Sequence, residues 1–232
     1  MIILILALVV SLIPVLLLYW WLRNRVKDED AYKTACSSAL KNGVLCIFPV
    51  VLLSAIFNVI IRLTGIRDVH PLLYQGLYKF IVLALAEEIV KYLMFRRTLK
   101  KTGYQASWLD VAVLLTIIGI GFDLIESIVY AVGESVPVIL VRGICIPHAG
   151  YGFLVGYFYG KGVKNGNPAT KWTGFVLAWL MHGLYDFSLS DEFQALNDNL
   201  AIIPLALVFV EIVLVILLIR FVRKMRSKAV ER

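Results

Sequence analysis

Long apolar stretches, separated by shorter polar segments, recur along the whole chain. Seven of them come close to the roughly 20 residues that a helix needs to cross a bilayer. They cover residues 1–22, 43–63, 71–95, 108–132, 137–160, 172–188 and 200–221. Hydrophobic residues make up 60% of the 232 residues, whereas soluble domains contain about 45 to 50%. The sequence therefore predicts an all-α fold: a polytopic membrane helix bundle of about seven transmembrane helices, forming a single transmembrane domain over residues 1–232.

Lysine and arginine are concentrated in every second connecting segment. The rich segments contain Arg23, Arg25, Lys27, Lys33 and Lys41; Arg96, Arg97, Lys100 and Lys101; Lys161, Lys164 and Lys171; and Arg220, Arg223, Lys224, Arg226, Lys228 and Arg232. The other segments contain only Arg67. Because cytoplasmic loops carry the excess of positive charge, we predict an N-terminus outside, a C-terminus in the cytoplasm and a basic cytoplasmic tail over residues 222–232. The net charge of +7 then reflects topology, so we expect membrane lipid and no nucleic acid as a partner.

The third apolar stretch contains charges in its interior: Glu87, Glu88 and Lys91. At membrane depth each charge costs on the order of 2.5 to 3.5 kcal/mol by insertion scales. Lys91 shares a helix face with Glu87 at i+4, which predicts an ion pair between them. Glu88 lies about 100° further round the helix and lacks that partner. Ionisable residues inside a membrane are functional candidates by default, so we interpret this pair of glutamates as part of a site.

Further polar residues lie at depth in the fourth, fifth and sixth stretches: Glu126, His148, His182 and Asp186. The predicted orientation places the two histidines level with the glutamates near mid-membrane, with Glu126 and Asp186 nearer the outer side. Two faces of small residues run below the histidines: His148-Gly152-Gly156-Gly160 and Gly174-Ala178-His182-Asp186. Small residues at four-residue spacing allow membrane helices to approach closely, so we expect these helices to converge.

Such a cluster can hydrolyse a peptide bond. A carboxylate takes a proton from water while a histidine donates to the developing oxyanion, and Asp186 at i+4 would orient His182. Two histidines and a glutamate can also form a catalytic zinc site, although the HExxH signature is missing. A proton- or ion-coupled membrane transporter, or a non-catalytic membrane scaffold, could hold the same residues at depth.

Four motifs follow one another on separate predicted spans. They are Glu87-Glu88-x-x-Lys91, Phe122-x-x-x-Glu126, His148-Ala149-x-x-Gly152 and His182-Gly183-Leu184-Tyr185-Asp186. In this order they resemble the motifs of the PrsW family of intramembrane proteases, which is related to the type II CAAX prenyl endopeptidases. In the prenyl endopeptidases the first motif ends in arginine and the second in histidine, so Lys91 and Glu126 favour the PrsW branch. The resemblance covers residues 71–188, which we predict to be the motif-bearing catalytic core.

The resemblance implies a metal-independent, glutamic-type endopeptidase of the bacterial cytoplasmic membrane that needs no cofactor. Its substrate would be a single-pass anti-sigma factor, whose first cut starts the regulated proteolysis that frees a sigma factor in a stress response. The implied catalytic residues are Glu87, Glu88, His182, His148 and Glu126, with Lys91, Asp186 and Phe122 in support. If a metal were required, its ligands would be Glu87, Glu88, His148 and His182.

Overall fold

The structure, a computed structural model, describes residues 2–26, 29–133 and 135–230. Its α-helices are α1 (Ile2–Arg23), α2 (Asp30–Leu45), α3 (Ile47–Arg62), α4 (Ile66–Val69), α5 (Pro71–Leu77), α6 (Ala86–Thr102), α7 (Trp108–Tyr130), α8 (Val136–Cys145), α9 (Pro147–Lys164), α10 (Pro168–Ser188), α11 (Asp191–Gln194) and α12 (Ile202–Val230). A π-helical segment, Tyr78–Leu85, joins α5 to α6, and a short 3-10 helix, Asp198–Ala201, precedes α12. Lys27 and Arg232, which belong to predicted basic segments, lie outside the described residues. Within the described ranges every regular element is a helix, which confirms the all-α prediction.

Five helical segments are long and apolar enough to cross a membrane: Ile3–Arg23, Asp30–Arg62, Trp108–Tyr130, Val136–Lys164 and Asn199–Lys224. They confirm a multi-pass membrane bundle. The predicted third and sixth spans are also helical, but they carry the buried glutamates, lysine, histidine and aspartate that lower their hydropathy. The number of seven spans and the orientation in the membrane therefore stay predictions.

Helices α7 and α9 form the centre of the bundle. Every residue of α7 from 110 to 123 is buried. Glycines of α9 lie directly on its backbone: a Cβ on Gly152 or Gly160 would collide with the carbonyl oxygen of Leu115 or Trp108, and one on Gly156 would lie 2.6 Å from the Cα of Ala112. The small-residue face predicted below His148 is therefore a helix–helix contact.

The second predicted face of small residues packs on the other side of α9. Gly174 of α10 lies against the backbone of Leu154 and Val155, and Ala178 is fully buried. Helix α9 is thus held between α7 and α10, and both histidines are carried on helices whose separation is set by glycine and alanine.

The outer helices have a different character. Helices α1, α3 and α12 expose large apolar side chains such as Leu17, Leu52 and Phe209. In a membrane these faces contact lipid, so hydrophobic exposure here is expected.

Helix α2 occupies most of the segment 23–42, which lies between the first two predicted spans and carries several of the basic residues. It packs on α7 through Ala35, Ala39 and Gly43, all buried, and a Cβ on Gly43 would lie 2.9 Å from the Cα of Gly121. The spacing of these small residues is four, as in the other packed faces, whereas Lys41, which lies between Ala39 and Gly43, is exposed. This segment therefore belongs to the bundle.

Asp110, another acidic residue of the predicted fourth span, lies at the start of α7. Its side chain and that of Ser107 form a reciprocal capping box, and Arg25 pairs with it. A carboxylate in the first turn of a helix stabilises the free N–H groups and the positive end of the helix dipole. Asp110 therefore has a structural role away from the histidines.

The predicted fifth span over 137–160 lies within one candidate membrane-spanning segment, Val136–Lys164, in which the helix breaks at Ile146. This residue has φ 45° and ψ 58°, a left-handed conformation between α8 and α9. The residue before a proline is disfavoured in the right-handed helical region, and Pro147 follows directly. The break places His148 in the first turn of α9, where backbone N–H groups have no partner within the helix.

The π-helical segment just before the glutamates is held from two sides. Ser54 Oγ of α3 donates to the carbonyl oxygen of Val82 at 2.7 Å, and the indole N–H of Trp179 in α10 donates to that of Phe80 at 2.6 Å. Wide π turns change the helix register and are frequent near functional sites. Here the segment fixes the direction in which the next turn, with Glu87 and Glu88, faces.

Candidate active site

Helix α6 presents Glu87, Glu88 and Lys91 to the bundle interior, where they are 7%, 3% and 3% exposed. Lys91 Nζ lies 2.6 Å from Glu88 Oε1 but 3.9 Å from Glu87 Oε2. The predicted ion pair of Lys91 with Glu87 is therefore present but long, and the expectation that Glu88 lacks this partner is wrong. The lysine donates a hydrogen bond to Glu88 at i+3, which is also on the same face, whereas Glu87 lies beyond hydrogen-bond distance of it.

His148 is hydrogen-bonded through both ring nitrogens. Its Nδ1 lies 2.9 Å from Lys91 Nζ, and its Nε2 lies 2.6 Å from Glu126 Oε2. Because the lysine ammonium can only donate, Nδ1 accepts and Nε2 carries the proton that is donated to Glu126. Arg142 of α8 also pairs with Glu126. A continuous chain of polar contacts therefore runs from Glu88 through Lys91, His148 and Glu126 to Arg142.

Asp123 of α7 holds the beginning of α9 in place. Its Oδ1 accepts the backbone N–H of His148 at 3.3 Å, and its Oδ2 accepts that of Ala149 at 3.1 Å. These are two of the N–H groups left free by the break at Ile146. Asp123 thus acts as a cap supplied by another helix and fixes the position of His148.

Among the described residues, His182 of α10 has a hydrogen-bond partner on only one of its ring nitrogens. Its Nδ1 lies 3.2 Å from Glu88 Oε1, while its Nε2 lies 3.7 Å from both Glu87 Oε2 and Asp186 Oδ2. The ring is therefore oriented by its hydrogen bond to the Glu88 carboxylate, which accepts it. Asp186, which the sequence suggested for this role, lies only at ion-pair distance.

Glu87 Oε2 is buried and has no hydrogen-bond partner among the described residues. It lies 3.7 Å from His182 Nε2 and 4.0 Å from His148 Nε2. Nearly all buried polar atoms of native structures are hydrogen-bonded, and an exception calls for an explanation. The unpaired oxygen faces both imidazoles, as a proton acceptor for a reacting molecule would.

The remaining predicted residue, Phe122, packs against the same cluster. Its ring meets that of His148 edge to face, with centroids 4.8 Å apart, and the ammonium of Lys91 lies 5.0 Å from its centroid. A small pocket of about 10 Å³, roughly the space that one water molecule needs, opens beside the histidines. Its lining comprises Glu126, Arg142, Pro147, His148, Tyr151, His182, Tyr185 and Asp186.

The structure brings together all eight residues singled out from the sequence, carried on α6, α7, α9 and α10. Four further residues join them: Asp123, Arg142, Tyr151 and Glu211. Glu211 of α12 accepts a hydrogen bond from the Tyr151 hydroxyl. It is an acidic residue inside the last apolar stretch, and the rule that singled out Glu87 applies equally to it.

The chain matches the family model described as PrsW family intramembrane metalloprotease over residues 34–218. It belongs to the PrsW family. Among curated relatives, Protease PrsW of Clostridioides difficile (strain 630) is 27% identical over 195 residues, covering 79% of each chain. Protease PrsW of Bacillus subtilis (strain 168) is 25% identical over 183 residues, covering 75% of this chain and 78% of the relative. No solved structure gives a significant match.

Membership of the PrsW family makes the chain an intramembrane peptidase and a multi-pass protein of the cell membrane. The resemblance seen in the four motifs is thereby confirmed. The family is described as one of metalloproteases, whereas the motif resemblance implied a protease that needs no metal.

The donor atoms of Glu87, His148 and His182 lie within 4.8 Å of one another, close enough to surround one ion. Glu87 and His182 fit a metal, because Glu87 Oε2 is unpaired and His182 Nδ1 is bonded to a carboxylate, a usual outer partner of a ligating histidine. His148 does not fit. A histidine that ligates through Nε2 must carry its proton on Nδ1, and here Lys91 donates to Nδ1 while Nε2 is bonded to Glu126. In this arrangement the three residues do not form a complete metal site.

Proposed function

We propose that this PrsW-family protein makes the first cut in a single-pass anti-sigma factor, with Glu87 activating the water that attacks the peptide bond. The proposal of an anti-sigma factor rests on the motif resemblance. The proposal for the chemistry rests on one observation: Glu87 Oε2 is a buried carboxylate oxygen without a hydrogen-bond partner, and it faces two imidazoles. A base in such a position can take a proton from water without first breaking another hydrogen bond.

The proposed reaction has two steps. Glu87 takes a proton from water as the water oxygen bonds to the carbonyl carbon, and the carbonyl oxygen becomes an oxyanion. His182, as an imidazolium, donates from Nδ1 to Glu88 and from Nε2 to that oxyanion. The C–N bond then breaks as the protonated Glu87 gives its proton to the leaving nitrogen, which yields a carboxylic acid and an amine and restores the carboxylate.

The neighbouring residues hold these two groups in place. Glu88 bridges Lys91 and His182, and so fixes the ring on which the oxyanion depends. Lys91 connects Glu88 to His148, whose other nitrogen is held by Glu126. We assign Glu126 and His148 to the wall of the site and to the stabilisation of charge, because both are already committed to hydrogen bonds.

Residues 71–188 remain our proposed catalytic core within one transmembrane domain, with residues 222–232 as a basic cytoplasmic tail. We also propose the orientation that the distribution of lysine and arginine predicts, with the N-terminus outside. Protease protection of tags at the two termini tests it: a C-terminal tag should be reachable only from the cytoplasm, and termini on the same side would contradict seven spans.

The test of the proposed function is cleavage of a candidate anti-sigma factor by the full-length protein reconstituted in lipid, with and without a chelator. We expect one cut in or beside the substrate's membrane segment. The expected cut is absent with the Glu87→Gln variant and present with Glu29→Gln, a matched change at an exposed position. Ion flux without proteolysis, lost in the Glu87→Gln variant, would instead support a transporter.

The same preparation decides the question of a metal. We expect well under one equivalent of transition metal in the active protein and no loss of activity on chelation, because Lys91 holds His148 in the wrong tautomer for a ligand. Stoichiometric metal that is lost together with activity would overturn the metal-free mechanism and make Glu87, His148 and His182 ligands.

A further inference from the structure

Helix α12 lies outside the four motifs, yet it carries a glutamate that reaches the site. Glu211 is 2% exposed and lies within the part of this helix, residues 202–219, that is otherwise apolar. The helix approaches α9 closely at Gly150, where an added Cβ would lie 3.3 Å from the Cβ of Leu214 and 3.6 Å from the carbonyl oxygen of Glu211. Glu211 therefore lies beside the first turns of α9, which carry His148.

The carboxylate of Glu211 is bonded to the hydroxyl of Tyr151, which is 1% exposed. The ring of Tyr151 stacks on that of His182, with centroids 5.3 Å apart and planes at 20°. Its edge also faces His148 at a centroid distance of 6.0 Å. A single tyrosine thus touches both histidines, and its hydroxyl is held by a residue from a different helix.

We propose that Tyr151 and Glu211 are positioning residues that fix the plane of the His182 ring. This inference rests on the proposed role of His182 as the donor to the oxyanion. The described residues offer the His182 ring one hydrogen bond, from Nδ1 to Glu88. A single hydrogen bond does not fully restrict rotation of the ring about the Cβ–Cγ bond. The stacked tyrosine restricts it by contact with the ring face, so that Nε2 stays directed toward Glu87.

The hydrogen bond to Glu211 fixes the tyrosine in turn. A buried tyrosine hydroxyl needs a partner, and Glu211 supplies it from the far side of α9. Glutamine at position 211 can still accept this hydrogen bond through its amide oxygen, whereas leucine cannot. The proposal therefore predicts different outcomes for these two substitutions.

The first readout is the NMR spectrum of the ring C–H groups in full-length protein labelled at histidine. The chain has three histidines, namely His70, His148 and His182, so the signals can be assigned with the variants His70→Gln and His182→Gln. We expect the His182 signal to shift strongly in Tyr151→Leu, which removes the stacked ring. It should broaden or shift in Glu211→Leu and stay near its original position in Glu211→Gln.

The second readout is the cleavage of a reconstituted single-pass substrate. We expect Glu211→Leu to lower kcat by about 10- to 100-fold, as a small misplacement of a reacting group does, with KM nearly unchanged. Glu211→Gln should retain most of the rate. Leu214→Ala is the matched control, because it disturbs the same contact between α12 and α9 without touching Tyr151 or Glu211, and it should lower stability more than kcat.

Two outcomes would overturn the inference. If Glu211→Leu lowers stability but leaves kcat and the His182 signal as in Leu214→Ala, the pair only packs the bundle. If Glu211→Gln is as damaging as Glu211→Leu, the charge matters and the tyrosine hydrogen bond does not. If the parent protein cleaves no candidate substrate, the proposed function fails, and the NMR experiment still decides whether Glu211 controls the His182 ring.

Discussion

His148 and His182 lie with their ring centroids only 5.0 Å apart, but their surroundings differ. His148 has a partner on each nitrogen, Lys91 on one side and Glu126 on the other, and its backbone N–H is held by Asp123. His182 has one bonded nitrogen, and its Nε2 faces Glu87 and Asp186 at 3.7 Å. The two histidines, on neighbouring helices, therefore divide the site into two halves. The bonded half contains His148, Lys91 and Glu126, and the open half contains His182, Glu87 and Asp186.

In the mechanism that we propose, this difference separates the residues that do chemistry from those that support them. A group whose hydrogen bonds are all made must break one before it can act on a substrate, whereas an unpaired buried group needs only the substrate. Substitutions in the open half should therefore reduce the rate of cleavage, and those in the bonded half should reduce stability first.

The largest effect is expected for Glu87→Gln in the open half. The amide has the same shape but cannot accept the proton, and the loss of a general base lowers a rate by about 10²- to 10⁴-fold. The measurement is the cleavage rate of a reconstituted single-pass substrate, with unfolding followed in parallel. Full activity in this variant, in a folded protein, would end the assignment of Glu87 as the base.

His182→Ala should follow, with a loss of about 10²- to 10³-fold in kcat, the usual cost of one lost oxyanion donor. Single-turnover cleavage separates this loss from slower substrate binding. If His148→Ala lowered kcat more than His182→Ala at equal stability, the roles assigned to the two histidines would have to be reversed.

In the bonded half, Glu126→Gln should mainly lower stability, by about 1 to 3 kcal/mol, because Arg142 and His148 lose a charged partner while buried. Unfolding in detergent measures this change, and cleavage is measured below the temperature at which unfolding begins. A fall in rate as large as that of Glu87→Gln, without loss of stability, would contradict a supporting role.

The smallest effect is expected for Asp186→Asn. At 3.7 Å from His182 Nε2 its carboxylate makes no hydrogen bond to the ring, and a partly exposed ion pair contributes roughly 0.2 to 1 kcal/mol. The rate should fall by less than about tenfold. A larger loss would indicate that Asp186 approaches His182 when substrate is bound.

The eight residues singled out from the sequence do meet in the structure, because charges and histidines at membrane depth are too costly to be scattered. It was not sufficient to predict which atoms pair. Glu87 at i−4 and Glu88 at i−3 are both neighbours of Lys91 on the helix surface, and the choice depends on where α9 and α10 place their histidines.

The same limit applies to the fifth span. Pro147 was visible in the sequence, but a proline in a membrane helix can be accommodated or can end the helix, so the break at Ile146 did not follow from it. The structural roles of Asp123 and Glu211 depend on that break and on the docking of α12. Both are contacts between distant segments that no local pattern specifies.

The hydropathy of the helices also has a consequence for biogenesis. Of the seven predicted spans, the two that do not meet the composition of a membrane-spanning helix are those that carry Glu87 and His182. Each is a poor candidate for entering lipid alone, because its polar face would be exposed to hydrocarbon. We therefore expect each to enter the bilayer together with neighbours that cover this face: α6 with α2 and α7, and α10 with α9. The polar residues to which we assign the chemistry thus also constrain membrane insertion, because α6 and α10 depend on neighbouring helices to cover them.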